Sequence, residues 1–334
     1  MMKRILQIAL FLVGIILFAF VIKAVGWQKL DVIFPALSGW GWLVFLIYPF
    51  MCFWDVLGWR ELFDHQWSKK LKLWELYWIR MAGEAINNIT PFIDVAGEFL
   101  KVVLVEKRLG ISKKGALAAG VMCRSALLFA EIIFVVLGLA FAGLVAPIPN
   151  ELRGGLLIAL ILIVVVALLL VRTQKKGLFI TLLGLFERFG IDPKIFSRFH
   201  TSLQVVDVEI AKFYSHEAKR LWLAIGFHFL GWVSGGIEIF FMLRLLGVEA
   251  TLFEGIILEA LIQSMRTASF FIPGNLGVQE GGLALILGIM DVQPSLGVVL
   301  SLMKRARQFI WTSIGFMVWG IFQLLELRSV NTKS

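Results

Sequence analysis

Charged residues are scarce in this sequence. Only 16% of its 334 residues are Asp, Glu, Lys or Arg, while 59% are hydrophobic. A soluble domain carries about 25% charged residues, so the composition excludes an ordinary soluble enzyme or binding domain. The segment Leu156–Val171 contains no polar side chain at all. Apolar runs of this length predict membrane-spanning helices, and we expect an all-α polytopic membrane protein.

Cysteine and histidine are also rare. Cys52 and Cys123 both lie in apolar segments, which gives no disulfide framework, and the four histidines have no metal-ligand spacing. The sequence has neither a P-loop motif nor a G-x-S-x-G nucleophile elbow. The net charge of +9 does not indicate nucleic acid, because basic residues in a membrane protein mark cytoplasmic loops. We therefore predict no enzymatic activity, no metal and no cofactor.

Apolar segments long enough to span a membrane are frequent, and two others are interrupted. The interruptions fall in 73–106, at Asn87–Pro91, and in 252–290, at Pro273–Asn275. Since each arm of the first region is short of the hydrocarbon thickness, we interpret both regions as re-entrant hairpins of two half-helices. The alternative is a pair of tilted full spans at each place, which gives ten crossings. The full spans are predicted near 5–25, 39–60, 115–145, 154–172, 221–246 and 296–326.

The distribution of basic residues predicts the topology. Lys and Arg concentrate in the segments that become cytoplasmic when the N-terminus is inside the cell. Three spans separate the hairpins, so the hairpins open from opposite faces. The chain then consists of two inverted repeats, each of three spans and one re-entrant hairpin, at 1–145 and 154–326, which is common among secondary transporters. The polar stretch 173–220 is predicted to be a cytoplasmic connector on the membrane surface.

One polar pattern occurs in both interrupted regions. Glu98 follows Pro91 by seven residues, and Glu280 follows Pro273 by the same number. Arg124 and Arg307 each lie on the next span, at a depth that overlaps that of the preceding glutamate. The spacing therefore suggests two pairs, Glu98–Arg124 and Glu280–Arg307.

These residues allow two interpretations. They can be buried ion pairs that lock each hairpin to a span, because charges within membranes usually pair with one another. They can instead form a site for an anionic lipid headgroup, because a half-helix that begins near the midplane presents free N–H groups and the positive end of its dipole. The predicted translocation site consists of Glu98, Arg124, Glu280, Arg307, Arg266 and Asn275, with hairpin tips at Asn88, Pro91, Pro273, Gly274 and Gly277.

Several other charges have less clear positions. Lys304 and Arg305 either belong to the same site or extend to the outer interface. Asp55, Glu131, His228, Glu238 and Arg244 stand alone in apolar sequence, and we interpret them as structural or interfacial charges.

The motif Pro273–Gly282 (PGNLGVQEGG), followed by a span that bears Arg307, resembles the membrane-domain family of lysylphosphatidylglycerol synthetase/flippases. The likeness extends to Ala96–Lys101 (AGEFLK), and stand-alone members of this family include those linked to hopanoid biosynthesis. The resemblance implies movement of a lipid between leaflets. We do not expect the synthetase activity here, because the chain shows no soluble aminoacyl-transfer domain.

The sequence thus predicts a transporter in the inner (plasma) membrane that moves an amphipathic lipid, with an anionic or isoprenoid-type headgroup, by alternating access. Its expected partners are the lipid and, in addition, proteins of lipid biosynthesis. Two alternatives remain open at this point. One is a membrane-embedded transferase that acts on a lipid-linked substrate, and the other is a scaffold for a lipid-synthesis complex.

Overall fold

The computed structural model describes residues 35–68, 70–90, 96–145, 161–188, 194–268 and 278–331, apart from positions 36, 162–163, 166–167 and 170. No β-strand occurs among these residues, which confirms the all-helical prediction. A 3₁₀ turn, Gly41–Leu46, leads into the first helix, and a short helical turn covers His65–Ser68. The ten longer helices are α1 Ile47–Glu61, α2 Leu73–Ile89, α3 Ala96–Leu109, α4 Lys113–Val145, α5 Leu178–Arg188, α6 Lys194–Ser215, α7 Ala218–Leu245, α8 Leu252–Ala268, α9 Val278–Ile289 and α10 Pro294–Asn331.

Four described segments are long and apolar enough to cross a membrane. They are Gly41–Glu61, Lys113–Phe141, Ala218–Leu245 and Pro294–Glu326. These segments confirm four of the six predicted spans as apolar helices of sufficient length. The predicted span at 5–25 lies outside the described residues, as does most of the one at 154–172.

The helix ends follow local sequence signals. Helix α2 ends at Ile89. Pro91 follows two positions later, and a proline disfavours helical conformation in the residue that precedes it, here Thr90. Thr251 and Glu254 form a capping box at the start of α8, in which the Glu254 N–H donates to Thr251 Oγ1 and the Thr251 N–H donates to Glu254 Oε2. Gly110, directly after α3, has φ +72°, a conformation that glycine adopts at helix C-termini without strain.

The chain divides into two compact units. The first contains the described residues up to Phe50, then Arg80–Glu98, and those from Ser234 onward. Its apolar core joins the 3₁₀ turn with α7, α8, α9 and α10, through residues such as Leu243, Leu258 and Leu300. Small residues let these helices approach closely: a Cβ at Gly236 would lie 2.7 Å from the Ile256 Cα atom.

The second unit contains Met51–Ile79 and Phe99–Val233. Within it α6 packs along α4 and against α5. Both carboxylate oxygens of Asp207 on α6 accept hydrogen bonds at the start of α5, from the N–H groups of Phe179 and Ile180 at 3.0 Å each. The polar stretch 173–220 therefore contains two helices, α5 and α6, that pack against each other, and α6 also packs along α4.

Candidate functional site

Helix α10 carries three cations within four residues, Lys304, Arg305 and Arg307, inside an apolar segment. Each cation forms an ion pair with a glutamate from a different helix of the first unit: Glu259 on α8, Glu280 on α9 and Glu238 on α7. Charges in a membrane interior persist only when they are paired or serve a function. We call these six residues the α10 charge cluster.

The pair formed by Lys304 and Glu259 is deeply buried. Lys304 Nζ lies 2.5 Å from Glu259 Oε2, and the two side chains are 4% and 3% exposed. Gly235 on α7 packs against this carboxylate, since a Cβ at that position would lie 3.0 Å from Glu259 Oε1. The absence of a side chain at Gly235 thus makes room for the ion pair between α7 and α8. The interpretation that Lys304 extends to the outer interface is wrong, because its side chain is buried.

The pair formed by Arg307 and Glu238 is buried to a similar degree. Arg307 Nη1 donates to Glu238 Oε2 at 2.6 Å, and the side chains are 9% and 0% exposed. The guanidinium also lies over the Tyr48 ring, 4.6 Å from its centre, which is a cation–π contact. The other oxygen of Glu238, Oε1, is buried and has no hydrogen-bond partner among the described residues. A buried acceptor in this condition is costly, and it attracts any donor that reaches it.

The third pair is the most accessible. Arg305 Nε donates to Glu280 Oε1 at 2.6 Å, and Ser301, one turn earlier on α10, donates to the same oxygen at 3.1 Å. The two charged side chains are 13% and 14% exposed. Among the three pairs, this one offers a ligand the easiest approach.

The pairs also act on one another. Lys304 acts electrostatically on Glu238, and Arg307 acts on Glu259. Arg266, near the end of α8, acts on Glu259 as well. Arg266 thus adds a fourth cation next to the six residues of the cluster.

A polar clamp connects α2 to α10 next to the cluster. Gln308 Nε2 donates to Asn88 Oδ1 at 2.9 Å, and Asn88 Nδ2 donates to Thr312 Oγ1 at 2.8 Å. Close packing supports this contact, because a Cβ at Gly315 would lie 2.5 Å from the Met81 carbonyl oxygen. Helix α10 thus holds α2 through Asn88 and α9 through Glu280. These are one arm from each of the two interrupted regions.

Asn87 stabilises the interruption after α2. Its Oδ1 accepts a hydrogen bond from the Gly97 N–H at 2.7 Å. A Cβ at Gly97 would lie 2.0 Å from the Gly83 carbonyl oxygen, so α2 and the start of α3 are in direct backbone contact. This contact satisfies a backbone donor of the first turn of α3, which has no partner within its own helix.

The structure brings together some of the predicted site residues. Arg307, Glu280 and Arg266 all belong to the first unit and to the cluster or its surroundings. Glu98 lies half-buried in the first turn of α3, and Arg124 lies half-buried on α4 of the second unit. The Glu98–Arg124 pair stays a prediction. The predicted positions Pro91, Pro273, Gly274, Asn275 and Gly277 lie outside the described residues.

The ion pairs differ from those suggested by spacing. The spacing suggested Glu280 as the partner of Arg307, whereas the structure gives Arg307 a hydrogen bond to Glu238 and gives Glu280 one to Arg305. Glu238 was interpreted as an isolated charge, and Glu259 was not predicted as a site residue. One sequence signal points to both: α10 has three cations in one apolar span, and three acids are needed to balance them.

The described part of the chain shows no group of three or more His, Cys, Asp or Glu side chains arranged to hold a metal ion. The helices and the buried charge cluster together define an integral membrane protein whose helices are joined by ion pairs in its interior. The chain belongs to the family described as the lysylphosphatidylglycerol synthase TM region, whose sequence model matches residues 4–315.

A curated relative shares this membrane character. It is a UPF0104 membrane protein from Methanothermobacter thermautotrophicus, 24% identical over 248 residues, which are 70% of this chain and 71% of the relative. No solved structure matches the chain. The family result confirms the resemblance inferred from Pro273–Gly282 and Ala96–Lys101.

Proposed function

We propose that this protein is a flippase-like transporter that moves an amphipathic lipid with an anionic headgroup between the leaflets of the plasma membrane. The transport occurs without covalent chemistry. The proposed architecture consists of two inverted repeats, at 1–145 and 154–326, with the N-terminus in the cytoplasm. The observation that carries the proposal is the α10 charge cluster, which places three cations and three carboxylates in an apolar helical unit of a membrane protein, with Arg266 as a fourth cation beside them.

Helix length supports the re-entrant hairpins of this architecture. The arms α2, α3, α8 and α9 contain 17, 14, 17 and 12 residues. At 1.5 Å per residue they are about 18 to 26 Å long, which is short of a hydrocarbon core of about 30 Å. Arms that do not reach across the membrane are expected in hairpins that return to the side they came from.

The charge cluster can bind a headgroup by exchange of ion-pair partners. An anionic headgroup competes with Glu280 for Arg305, because both present oxygen acceptors to the same guanidinium. Arg305 and Glu280 are the more accessible pair, so exchange begins there. The buried Glu238 and Glu259 hold Arg307 and Lys304 in place meanwhile, and the guanidinium of Arg266, which acts electrostatically on Glu259, contributes further attraction for an anion.

Helix α10 connects this exchange to a conformational change. It holds α9 through Glu280 and α2 through Asn88, so loss of the Arg305–Glu280 contact weakens the polar attachment of α9 while that of α2 is unchanged. A hairpin that is released when its glutamate is displaced can open the site to one leaflet. Glu98 and Arg124 are the proposed counterparts in the first repeat.

Lipid movement in proteoliposomes tests this proposal. Fluorescent phosphatidylglycerol, a labelled polyprenyl phosphate and zwitterionic phosphatidylcholine are compared, and the outer leaflet is read by chemical quenching. Wild type is expected to move at least one anionic lipid faster than phosphatidylcholine. Arg305→Gln is expected to slow that lipid at least tenfold, because one charge-assisted contact contributes about 1.5–3 kcal/mol.

A matched control is Arg244→Gln. Arg244 is an exposed cation at the end of α7 that lies over the Phe240 ring, outside the cluster. Equal rates for wild type and Arg305→Gln would remove the cluster from the lipid path. Mass spectrometry of the same lipids distinguishes the alternatives: a modified lipid product indicates a transferase, and neither movement nor product indicates a scaffold.

A further inference from the structure

The second unit contains a buried chain of titratable groups that the proposed lipid site does not use. His228 lies on α7 and its side chain is 0% exposed. Its Nδ1 lies 2.9 Å from Asp55 Oδ1 on α1, and its Nε2 lies 3.7 Å from Cys123 Sγ on α4. Three helices that are long and apolar enough to cross a membrane therefore each contribute one group to a continuous series of hydrogen bonds.

Two glycines, Gly58 and Gly231, leave room for the hydrogen-bonded side chains of Asp55 and His228. A Cβ at Gly58 on α1 would lie 2.8 Å from His228 Nε2, so any other residue there would displace the imidazole. A Cβ at Gly231 on α7 would lie 3.4 Å from Asp55 Oδ1. The two glycines let α1 and α7 approach until the carboxylate and the imidazole are in hydrogen-bond contact.

The contacts of His228 are compatible with two protonation states. In the neutral state the His228 Nδ1–H donates to the Asp55 carboxylate, and Nε2 accepts from the Cys123 thiol. In the protonated state both ring nitrogens donate, and the carboxylate beside Nδ1 balances the new charge. Asp55 is 15% exposed, so it is the member through which a proton can enter or leave.

Several other charged groups lie on these helices and on α3. On α1, Arg60 donates to the Ser68 carbonyl, and Glu61 pairs with Arg220 of α7. On α4, Arg124 follows Cys123 directly and Glu131 comes about two turns later. On α3, the Lys101 ammonium lies 5.2 Å from the centre of the Trp59 ring. Among the titratable contacts that the structure gives His228, only Asp55 supplies an opposite charge.

We infer that Asp55 and His228 form a proton-binding site that couples lipid movement to the proton gradient across the membrane. This inference rests on the proposed function and extends it by naming the driving ion. Helix α7 is the element that both sites share, because one continuous helix carries His228 and, ten residues later, Glu238 of the charge cluster. Protonation of His228 biases the position of α7, and α7 presents Glu238 to Arg307.

Proteoliposomes with fluorescent phosphatidylglycerol test the coupling. The membrane potential is held at zero, and the lipid distribution between leaflets is compared at equal pH and with a gradient of one pH unit. If one proton accompanies one lipid, a gradient of one unit changes the equilibrium ratio of inner to outer lipid by about tenfold, and reversal of the gradient reverses the shift. His228→Gln and Asp55→Asn are expected to hold the ratio within about twofold of its value at equal pH.

His216→Gln is the matched control, because His216 is an exposed histidine outside the four candidate spans. It is expected to respond to the gradient as wild type does. Each variant must also equilibrate the lipid between leaflets at equal pH, so that an unchanged ratio under the gradient cannot result from unfolded protein.

Each other outcome overturns the inference. If wild type moves the lipid but its lipid ratio does not change with the pH gradient, the proposed function is retained and the proton coupling is refuted. A His228→Gln variant that still responds assigns the proton to another group. Loss of all movement in both variants, with a native elution profile, places the pair in the lipid path instead. No movement by wild type at any pH removes the proposed function and the coupling together.

Discussion

The Arg307–Glu238 pair permits a quantitative prediction about the stability of the first unit. Arg307→Met leaves Glu238 as a buried carboxylate without its 2.6 Å partner. Removal of one member of a buried ion pair costs about 3–5 kcal/mol. Because Lys304 also acts on Glu238, the remaining charge is partly balanced, and the lower end of this range is expected. Loss of the Tyr48 contact adds about 0.5–2 kcal/mol.

The double variant Arg307→Met/Glu238→Leu separates this explanation from a loss of packing. When both charges are replaced by apolar side chains of similar volume, no buried charge remains, and the change is often neutral or stabilising. We therefore expect the double variant to be more stable than either single variant. The sum of the two single losses should exceed the loss in the double variant by about 3 kcal/mol or more.

Reversible unfolding in mixed micelles, followed by circular dichroism, measures the four free energies of unfolding. The control cycle uses Lys113 and Glu106, whose charged atoms are 3.4 Å apart on exposed side chains. Exposed pairs contribute less than about 1 kcal/mol, so this cycle should show little coupling. If the Arg307 and Glu238 losses simply add, the argument that burial of the pair dominates its energy is refuted.

Three further predictions concern local structure. Gly97→Ala should destabilise the protein strongly in thermal unfolding, because its Cβ would lie 2.0 Å from a backbone oxygen of α2, whereas Gly281→Ala, with nothing within 4 Å, should have little effect. Asp207→Ala removes the acceptor for two N–H groups at the start of α5 and should lower the free energy of unfolding by about 1 kcal/mol. The segment 173–188 should then be cleaved faster in limited proteolysis, and an unchanged rate would contradict the prediction. Burial raises the pKa of Tyr214 from 10.0 to about 12. The stability that this group contributes is therefore intact below pH 10 and is lost as the pH rises through 12. In denaturant unfolding at alkaline pH, the stability of a Tyr214→Phe variant should not show this decrease.

Much of the helix pattern follows from the sequence. The predicted hairpin regions 73–106 and 252–290 correspond to α2 with α3 and to α8 with α9. The end of α2 at Ile89 has a local cause, because Pro91 disfavours helix in the residue before it. The resemblance carried by Pro273–Gly282 likewise depends on sequence alone, although most of that motif lies outside the described residues.

The partners of the charged residues could not be predicted in the same way. Spacing along a helix gives the depth of a side chain, and by depth alone Glu280 was a reasonable partner for Arg307. The choice among Glu238, Glu259 and Glu280 depends on how α7, α8 and α9 are rotated around α10. That rotation is set by close contacts between residues of different helices, such as Gly236 with Ile256 and Gly297 with Leu283.

The sequence by itself determined the membrane class and the presence of cations in the last span, because each depends on composition or on neighbouring residues. Only the tertiary structure decided that Lys304, Arg305 and Arg307 each meet a different helix. Only the structure, too, showed that Asp55, His228 and Cys123 form one chain of hydrogen bonds. The physical reason is that ion pairs and hydrogen bonds act over about 3 Å, so they depend on distances that only the packed helices define.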